Sequence, residues 1–138
     1  MATLLNPYIS FRDTAREAMD FYQSVLGGEV KRNTFAEFQV SEDPAEADKI
    51  MHSQLETPGG LTLMAADVPN GQDHSVGDNI AISLSGEDES ELRGYFEGLS
   101  AGGTVQVPFE QAPWGDMFGM FTDKFGIPWM VNGVAPEA

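Results

Sequence analysis

The alternation of apolar and polar positions divides the chain into two similar halves, of which the first spans about 67 residues. Residues 4–11 alternate between the two kinds of side chain, which predicts a strand with one apolar face. Residues 15–26 carry apolar side chains at helical spacing, with Asp13 as the predicted N-cap and Gly27 or Gly28 as the stop. Further strands are predicted at residues 29–38, 49–56 and 61–66, and Pro58 and Gly59 lie in the turn of the final hairpin.

The second half repeats this order. A strand is predicted at residues 79–84, a helix at 88–99 opened by Ser85 or Asp88, and strands at 105–109, 117–122 and 127–132. Asn6 overlays Asn79 at an offset of 73 residues, and Met64 overlays Met130 at an offset of 66. The repeat predicts two βαβββ modules in tandem, each a curved mixed sheet with one main helix, in the α+β class.

The predicted organisation is one domain that covers residues 1–138. The first module is predicted at about 1–67, a connector rich in Pro, Asn, Gly and Asp at about 68–78, the second module at about 79–134, and a short tail at 135–138. Residues 41–48 are acidic and contain Pro44, which predicts a mobile surface loop.

Strand parity sorts the side chains of each predicted sheet into two faces. One face is apolar and should pack against the helix; it contains Leu5, Ile9, Phe11 and Leu63 in the first module and Ile80, Ile82, Leu84 and Trp129 in the second. The other face mixes amides, hydroxyls and methionines, which is not typical of core. Two such faces curling toward each other would enclose a partly polar cavity, the usual form of a small-molecule site.

Composition narrows the partners. The net charge is −15 with only seven Lys and Arg, which argues against nucleic acid and anionic membranes as partners. No run of eighteen apolar residues predicts a membrane span, and the first residues lack the pattern of a secretory signal, so a cytoplasmic protein is expected. The absence of cysteine excludes disulfides, thiolate catalysis and cysteine-based zinc sites.

His52 is the one side chain for which acid–base chemistry can be suggested from sequence. It shares a predicted strand face with Gln54, so it could be a general base or a ligand donor in a cleft, or an ordinary hydrogen-bonded histidine on a partly exposed sheet. His74 and Lys124 are interpreted as loop and turn residues. A catalytic carboxylate cannot be identified; Glu56, Asp67 and Asp116 are candidates by location alone.

Other side chains are candidates for the lining of a ligand-binding cleft. Trp114 could stack on a planar ligand, or cover a dimer interface or the edge of the core. The methionines Met64, Met117, Met120 and Met130 could line an adaptable apolar pocket or fill the middle of the domain. The predicted cleft contains Asn6, Tyr8, Ser10, His52, Gln54, Met64, Asn79, Ser83, Trp114 and Met130.

The paired modules and several motifs resemble the vicinal oxygen chelate superfamily, which includes glyoxalase I, extradiol dioxygenases, fosfomycin-resistance enzymes and bleomycin-binding proteins. The chain is most similar to its PhnB-like branch, through Pro7-Tyr8, Phe21-Tyr22, Met51-His52, Met64-Ala-Ala-Asp67, Trp114-Gly115 and the segment from Thr122 to Met130. The resemblance implies a curved sheet from each module around a cleft, and a homodimer.

The resemblance does not extend to the metal ligands. Metal-using members place His or Glu on the first and last strand of each module, and the positions that correspond in this chain are Asn6, Met64, Asn79 and Met130. Amides and thioethers are poor ligands for hard divalent ions, and none of these four side chains is charged. We therefore expect no cofactor and no metal of the family type.

Three functions remain open at this point. The first is a PhnB-like protein that binds an unidentified small molecule in its cleft without the family metal. The second is a metal-dependent enzyme of glyoxalase or dioxygenase type that uses other ligands such as His52. The third is a degenerate scaffold that acts through its surface or through dimerisation.

Overall fold

The computed structural model describes residues 3–38 and 43–134, and the chain divides into two compact units, Met1–Ser75 and Val76–Ala138. Each unit is described by itself. The predicted tail at 135–138 and the first two residues of the predicted loop at 41–48 lie outside the described residues.

The first unit contains a four-stranded mixed sheet and one long helix, as the repeat predicts. Its strands are ordered β1-β4-β3-β2, with β1 parallel to β4 and the other neighbours antiparallel. The elements are β1 (Tyr8–Phe11), α1 (Ala15–Leu26), β2 (Glu29–Thr34), α2 (Phe35–Phe38), a 3-10 turn (Pro44–Glu46), β3 (Ile50–Glu56) and β4 (Thr62–Asp67).

The second unit repeats this plan with a shorter middle. Its sheet has the order β5-β8-β7-β6, again with one parallel pair at β5 and β8. The elements are β5 (Ile82–Gly86), α3 (Glu89–Ser100), β6 (Thr104–Gln111), β7 (Met117–Thr122) and β8 (Pro128–Gly133). Within residues 3–38 and 43–134, no helix is long and apolar enough to cross a lipid bilayer.

The helix of each unit covers one face of its sheet, and strand parity predicts that face correctly. In the first unit the buried face carries Phe11, Leu55, Leu63 and Ala65, and in the second unit Leu84, Phe121, Trp129 and Val131. Phe96 of α3 makes an edge contact with Phe121, whose ring stacks on Trp129. Each unit therefore has a core between helix and sheet, which leaves the second face of the sheet uncovered by its helix.

The first strands of both units start later than predicted. β1 begins at Tyr8, and Leu5, which was expected to pack against the helix, is 100% exposed. β5 begins at Ile82, and Ile80 is 77% exposed. Apolar alternation continues beyond the last paired residue in each case, so the pattern alone overestimates strand length.

The predicted strand at residues 29–38 is also too long. β2 ends at Thr34, and Phe35 begins the short helix α2. The segment predicted as a mobile surface loop contains, in its described part, a 3-10 turn in which Glu46 is only 4% exposed. Glu46 accepts a hydrogen bond from the backbone of Asn70 at 2.9 Å and lies 3.4 Å from the Lys49 ammonium.

The start of α1 differs from the prediction because a distant carboxylate supplies the cap. Asp13 has a left-handed backbone (φ 71°), and its carboxylate pairs with the Lys49 ammonium at 2.6 Å. The N-cap is Thr14, whose side chain makes no capping bond. Instead, buried Asp67 accepts hydrogen bonds from the backbone of Ala15 at 2.9 Å and of Ile50 at 2.8 Å. In α3 the predicted cap is confirmed, since Asp88 accepts from the backbone of Glu91 at 3.0 Å.

Glycines allow the chain to pass close to the final hairpin of each unit. A Cβ on Gly28 would lie 2.2 Å from the Glu56 carbonyl oxygen, and a Cβ on Gly103 would lie 2.1 Å from the Thr122 carbonyl oxygen. Gly28 also has a left-handed φ of 87°. These positions follow the two long helices at equivalent places, so the repeat includes the approach of β2 and β6 to their neighbouring strands.

Candidate functional site

The uncovered face of the first sheet is polar, and the strand register orders its side chains in rows. One row is Glu29, Glu56 and Thr62, and the next is Lys31, Gln54, Met64 and Tyr8; beyond them, Asn33 pairs with His52 and Ser10 with Ala66. Alternation places all of these side chains on the face opposite α1. This face therefore groups charged, amide and hydroxyl groups on the four strands of one rigid element.

A hollow of about 600 Å³ lies on this face over β2 and β3. Its size is in the range of small-molecule sites. The residues that line it are Gly28, Glu29, Lys31, Asn33, His52, Gln54, Glu56, Thr57 and Pro58.

His52 lies at one end of the hollow and is held by an aromatic neighbour. Its ring and that of Tyr8 are stacked, with centroids 5.8 Å apart and planes inclined by 28°. The register places Asn33 directly across from it. Glu56 is four residues along the same strand, roughly 13 Å away at about 3.3 Å per residue. The imidazole thus faces a space of ligand size that is also lined by the amides of Asn33 and Gln54. Its cross-strand neighbour on β2 is an amide and not a carboxylate.

The charges in the hollow follow a fixed order along the strands. Glu29 and Glu56 are directly opposite each other near the hairpin turn, and Lys31 is opposite Gln54 one row further along. The Gln54 amide donates to the Glu56 carboxylate at 2.5 Å. The hollow therefore has a negatively charged end and, next to it, a segment that carries an ammonium group, an imidazole and two amides.

The uncovered face of the second sheet has a different chemistry. Met120 is directly across from Met130, and Phe118 is across from Asn132. The Asn132 amide donates to Asp116 at 3.3 Å, and Ser83 lies beside Met130. Methionine and phenylalanine side chains thus accompany serine and asparagine on this face, whereas the first sheet presents ions and amides.

The structure distributes the predicted cleft residues unevenly. His52 and Gln54 line the hollow, while Tyr8, Ser10 and Met64 share its sheet face. Ser83 and Met130 lie on the uncovered face of the second sheet. Trp114 is 64% exposed on the loop after β6 and makes an edge contact with Phe118 at 5.6 Å. Met117, in contrast to Met120, faces α3, because its odd position places it on the other side of β7.

Asn6 and Asn79 do not occupy the equivalent strand positions that the repeat suggests. Asn6 precedes β1 and Asn79 precedes β5. The register places Tyr8 beside Met64 and Ser83 beside Met130, an offset of 75 residues between Tyr8 and Ser83 rather than 73. The shift is even, so side chains stay on the predicted face, but the residues next to the two methionines are different.

Sequence reasoning missed the contribution of β2 to the hollow. Glu29, Lys31 and Asn33 alternate in the sequence, which indicates one shared face. That signal is present, but the pairing that places this face beside His52 is set by the register of β2 with β3.

Three other candidates have structural partners. Asp67 caps α1, Asp116 accepts from Asn132, and His74 makes a hydrogen bond of 3.1 Å with the Ser10 carbonyl oxygen. Lys124 lies in the turn between β7 and β8, as predicted, with its ammonium 5.5 Å from the centre of the Phe125 ring.

The side chains at the family's metal positions do not fit a hard divalent ion. These positions are Asn6, Met64, Asn79 and Met130, which offer two amides and two thioethers. The strand neighbours of the two methionines, Tyr8 and Ser83, add only a phenol and a hydroxyl. Hard cations prefer carboxylate oxygen, and imidazole suits zinc and iron. Within residues 3–38 and 43–134, no three or more His, Cys, Asp or Glu side chains are grouped so that they could hold a metal ion.

Comparison with known proteins identifies the family. Residues 4–131 match the Glyoxalase/Bleomycin resistance protein/Dioxygenase superfamily. The chain belongs to this superfamily. The resemblance expected from the sequence motifs is thereby confirmed, as are the tandem βαβββ modules with two four-stranded mixed sheets.

Several relatives span nearly the whole chain. Protein YjdN from Escherichia coli K12 is 30% identical, with 96% of this chain and 97% of that protein covered. Protein PA1353 from Pseudomonas aeruginosa has a similar structure, with a TM-score of 0.82, 35% identity, and 98% of this chain and 100% of that chain covered. The PhnB protein from Bacillus cereus has a TM-score of 0.73 at 21% identity, with 96% and 100% covered, and shares the fold.

Proposed function

We propose that this protein binds a small organic molecule in the hollow over β2 and β3, without a metal of the family type. The observation that carries the proposal is the hollow of about 600 Å³ lined by His52, Gln54, Lys31 and the carboxylates of Glu29 and Glu56. The superfamily membership supports it, since binding sites on this fold are built on the sheet faces that the helices leave uncovered.

The donor set supports the proposal that a family-type metal is absent. The amides and thioethers at the family positions, with a phenol and a hydroxyl beside the thioethers, would leave a divalent cation without charge compensation for its lost hydration. We further propose that the protein is a cytoplasmic homodimer and that neither nucleic acid nor membrane is its partner. The exposed side chains of Leu5 and Ile80 are apolar surface that self-association would cover, and the net charge of −15 disfavours polyanionic partners.

The first test separates metal from organic ligands. The purified, untagged chain is assayed for metal content, and its Tm is measured with a series of divalent ions, with a chelator, and with a library of small organic molecules. We expect no stoichiometric metal and no effect of chelator on Tm, and an increase in Tm with members of the library. One metal per chain with a fall in Tm on chelation would contradict the proposal and favour a metal-dependent enzyme.

The second test locates the binding and detects an occluded face. His52→Ala should weaken binding of an active compound, while His74→Ala serves as the matched control outside the hollow. Met64→Ala should cost less than about 1 kcal/mol of stability because Met64 is half-buried, whereas core Leu63→Ala should cost about 2–5 kcal/mol. Equal losses would indicate that the sheet face is filled core and that the protein acts as a scaffold.

A further inference from the structure

The cation of the hollow differs from every other cation of the chain. Within the described residues, Lys31 makes no salt bridge and no hydrogen bond through its ammonium group, although the protein carries 22 Asp and Glu. The other six cations each have a protein partner: Arg12 with Gln72, Arg16 with Asp48, Arg32 with Asp20, Lys49 with Asp13, Arg93 with Phe109 and Lys124 with Phe125.

The carboxylates beside this lysine are arranged in a way that the fold does not require. Glu29 and Glu56 face each other directly across an antiparallel pair, where like charges are destabilising. The second unit places Thr104 opposite Thr122 at the equivalent position. A neutral pair is therefore compatible with this sheet, and the facing carboxylates need a reason other than folding.

We infer that the hollow over β2 and β3 recognises a small zwitterion, with its ammonium group between Glu29 and Glu56 and its oxyanion on Lys31. This inference rests on the proposed function and names the class of ligand. Glu29 and Lys31 are two residues apart on one strand face, roughly 7 Å along the strand. A ligand whose two charges are joined by a few methylene groups matches that spacing.

Both charges of the ligand are needed to explain the lining. A simple anion would gain the Lys31 contact but would be repelled by the two carboxylates and by the overall charge of −15. A ligand with only a positive charge would give the Lys31 ammonium no partner and would place a second positive charge next to it. The Asn33 and His52 side chains lie one row beyond Lys31. The Asn33 amide donates one hydrogen bond to the Glu37 carboxylate at 3.1 Å, so its second N–H and the His52 ring are the further hydrogen-bonding groups at the oxyanion end.

The test uses ω-amino acids of increasing length as probes of the full-length protein. Glycine, β-alanine, γ-aminobutyrate and δ-aminovalerate are titrated by calorimetry, with butyrate and butylamine as controls that carry one charge each. The His52 ring resonances, assigned with a His74→Gln variant, report whether the probe enters the hollow. We expect one or two intermediate chain lengths to bind more tightly than both controls by about tenfold or more.

Matched variants connect the binding to the named charges. Lys31→Met and the double variant Glu29→Thr with Glu56→Thr should each weaken binding of the preferred probe by about tenfold or more, since hydrogen bonds to charged groups are lost. Lys124→Met removes one cation and Glu97→Gln one carboxylate from the second unit, and both should leave the affinity unchanged. Lys31→Arg should retain part of it.

The outcomes separate this inference from the proposed function. Equal binding of butyrate or butylamine, or binding that survives Lys31→Met, would overturn the zwitterion. If no ω-amino acid binds while another small molecule shifts the His52 resonances, the inference is overturned and the proposed function is supported. If neither the probes nor the library shifts these resonances, both are overturned.

Discussion

The two modules agree on the faces that their helices cover and differ on the faces that they leave uncovered. On the covered side, Leu55, Leu63 and Ala65 correspond to Phe121, Trp129 and Val131, and all six are buried and hydrophobic. On the uncovered side, the pairs at the same 66-residue offset change class: Glu56 to Thr122, Gln54 to Met120, and His52 to Phe118.

This difference shows which side of the sheet the fold constrains. Burial against a helix demands apolar side chains of fitting volume, so substitution there stays within one chemical class. The uncovered face makes no such demand, and the sheet can form without ions on that face, since the second module has a threonine pair where the first has facing carboxylates. Chemistry specific to one module is therefore better evidence of function than chemistry shared by both.

The largest effect is expected where the two modules are most alike. Gly28→Ala and Gly103→Ala each place a methyl group about 2 Å from a carbonyl oxygen, so backbone must move. We expect each to lower the free energy of unfolding by about 3 kcal/mol or more. Urea denaturation measures the free energy of unfolding of each variant. Gly94→Ala is the control: a Cβ at this position of α3 meets open space, and the change should raise stability by roughly 0.5–1 kcal/mol. A mild effect at one glycine alone would show that the two hairpin approaches are not equivalent.

A smaller effect is expected from the ion cluster that only the first module contains. Lys49→Met removes the cation that lies 3.4 Å from the buried Glu46 carboxylate and should cost about 3 kcal/mol at neutral pH. Burial alone would lower the pKa of Lys49. The hydrogen bonds to Asp13 and Glu46, together with the charges of those two carboxylates, raise the pKa above its usual value.

The raised pKa fixes the pH range of this contribution. A group whose pKa is higher in the folded state stabilises the folded state fully at pH values below its unfolded pKa, which is about 10.4 for lysine. This stabilisation is lost as the pH rises through the pKa of the folded state. Alkaline denaturation should therefore be steeper in the wild type than in Lys49→Met. In the second module, the hydrogen bond from Tyr95 to Glu91, with partial burial, raises the pKa of Tyr95. Tyr95→Phe should therefore also make alkaline denaturation less steep than in the wild type, by a smaller amount than Lys49→Met. Parallel pH curves for wild type and Lys49→Met would contradict this account.

The smallest effect on stability is expected from exchanging the facing pairs between modules. Replacing Glu29 and Glu56 by threonine should raise stability by roughly 0.2–1 kcal/mol, because like charges across a strand pair repel. Replacing Thr104 and Thr122 by glutamate should lower it by a similar amount. Both changes should shrink at high salt, which screens exposed charges. A loss of stability in the first exchange would mean that the carboxylate pair is structural.

The sequence alone predicts the module order and the faces of the strands, because both follow from local periodicity. It does not predict where pairing stops. Leu5 and Ile80 continue the alternation, yet β1 and β5 begin at Tyr8 and Ile82. Strand ends depend on hydrogen-bond partners in other strands, which periodicity does not specify.

The candidate site is predicted only in part for the same reason. His52 and Gln54 are found because they share one strand, but Lys31 and Asn33 join them through the register of β2. Likewise, the sequence aligns Asn6 with Asn79, whereas the strand pairing makes Tyr8 and Ser83 equivalent, a difference of two residues in the offset. Identical side chains in a repeat need not have identical neighbours.

The two ways of capping the long helices have a consequence for the order of folding. The cap of α3 comes from Asp88, three positions before the amide that it accepts from, so it can form as soon as that turn forms. The cap of α1 comes from Asp67, 52 positions away, and the same carboxylate also holds the start of β3. Closing that long loop has an entropic cost that arises before the capping hydrogen bonds can offset it. The cap of α3 can thus form within its own first turn, while α1 gains its cap only once β4 has docked.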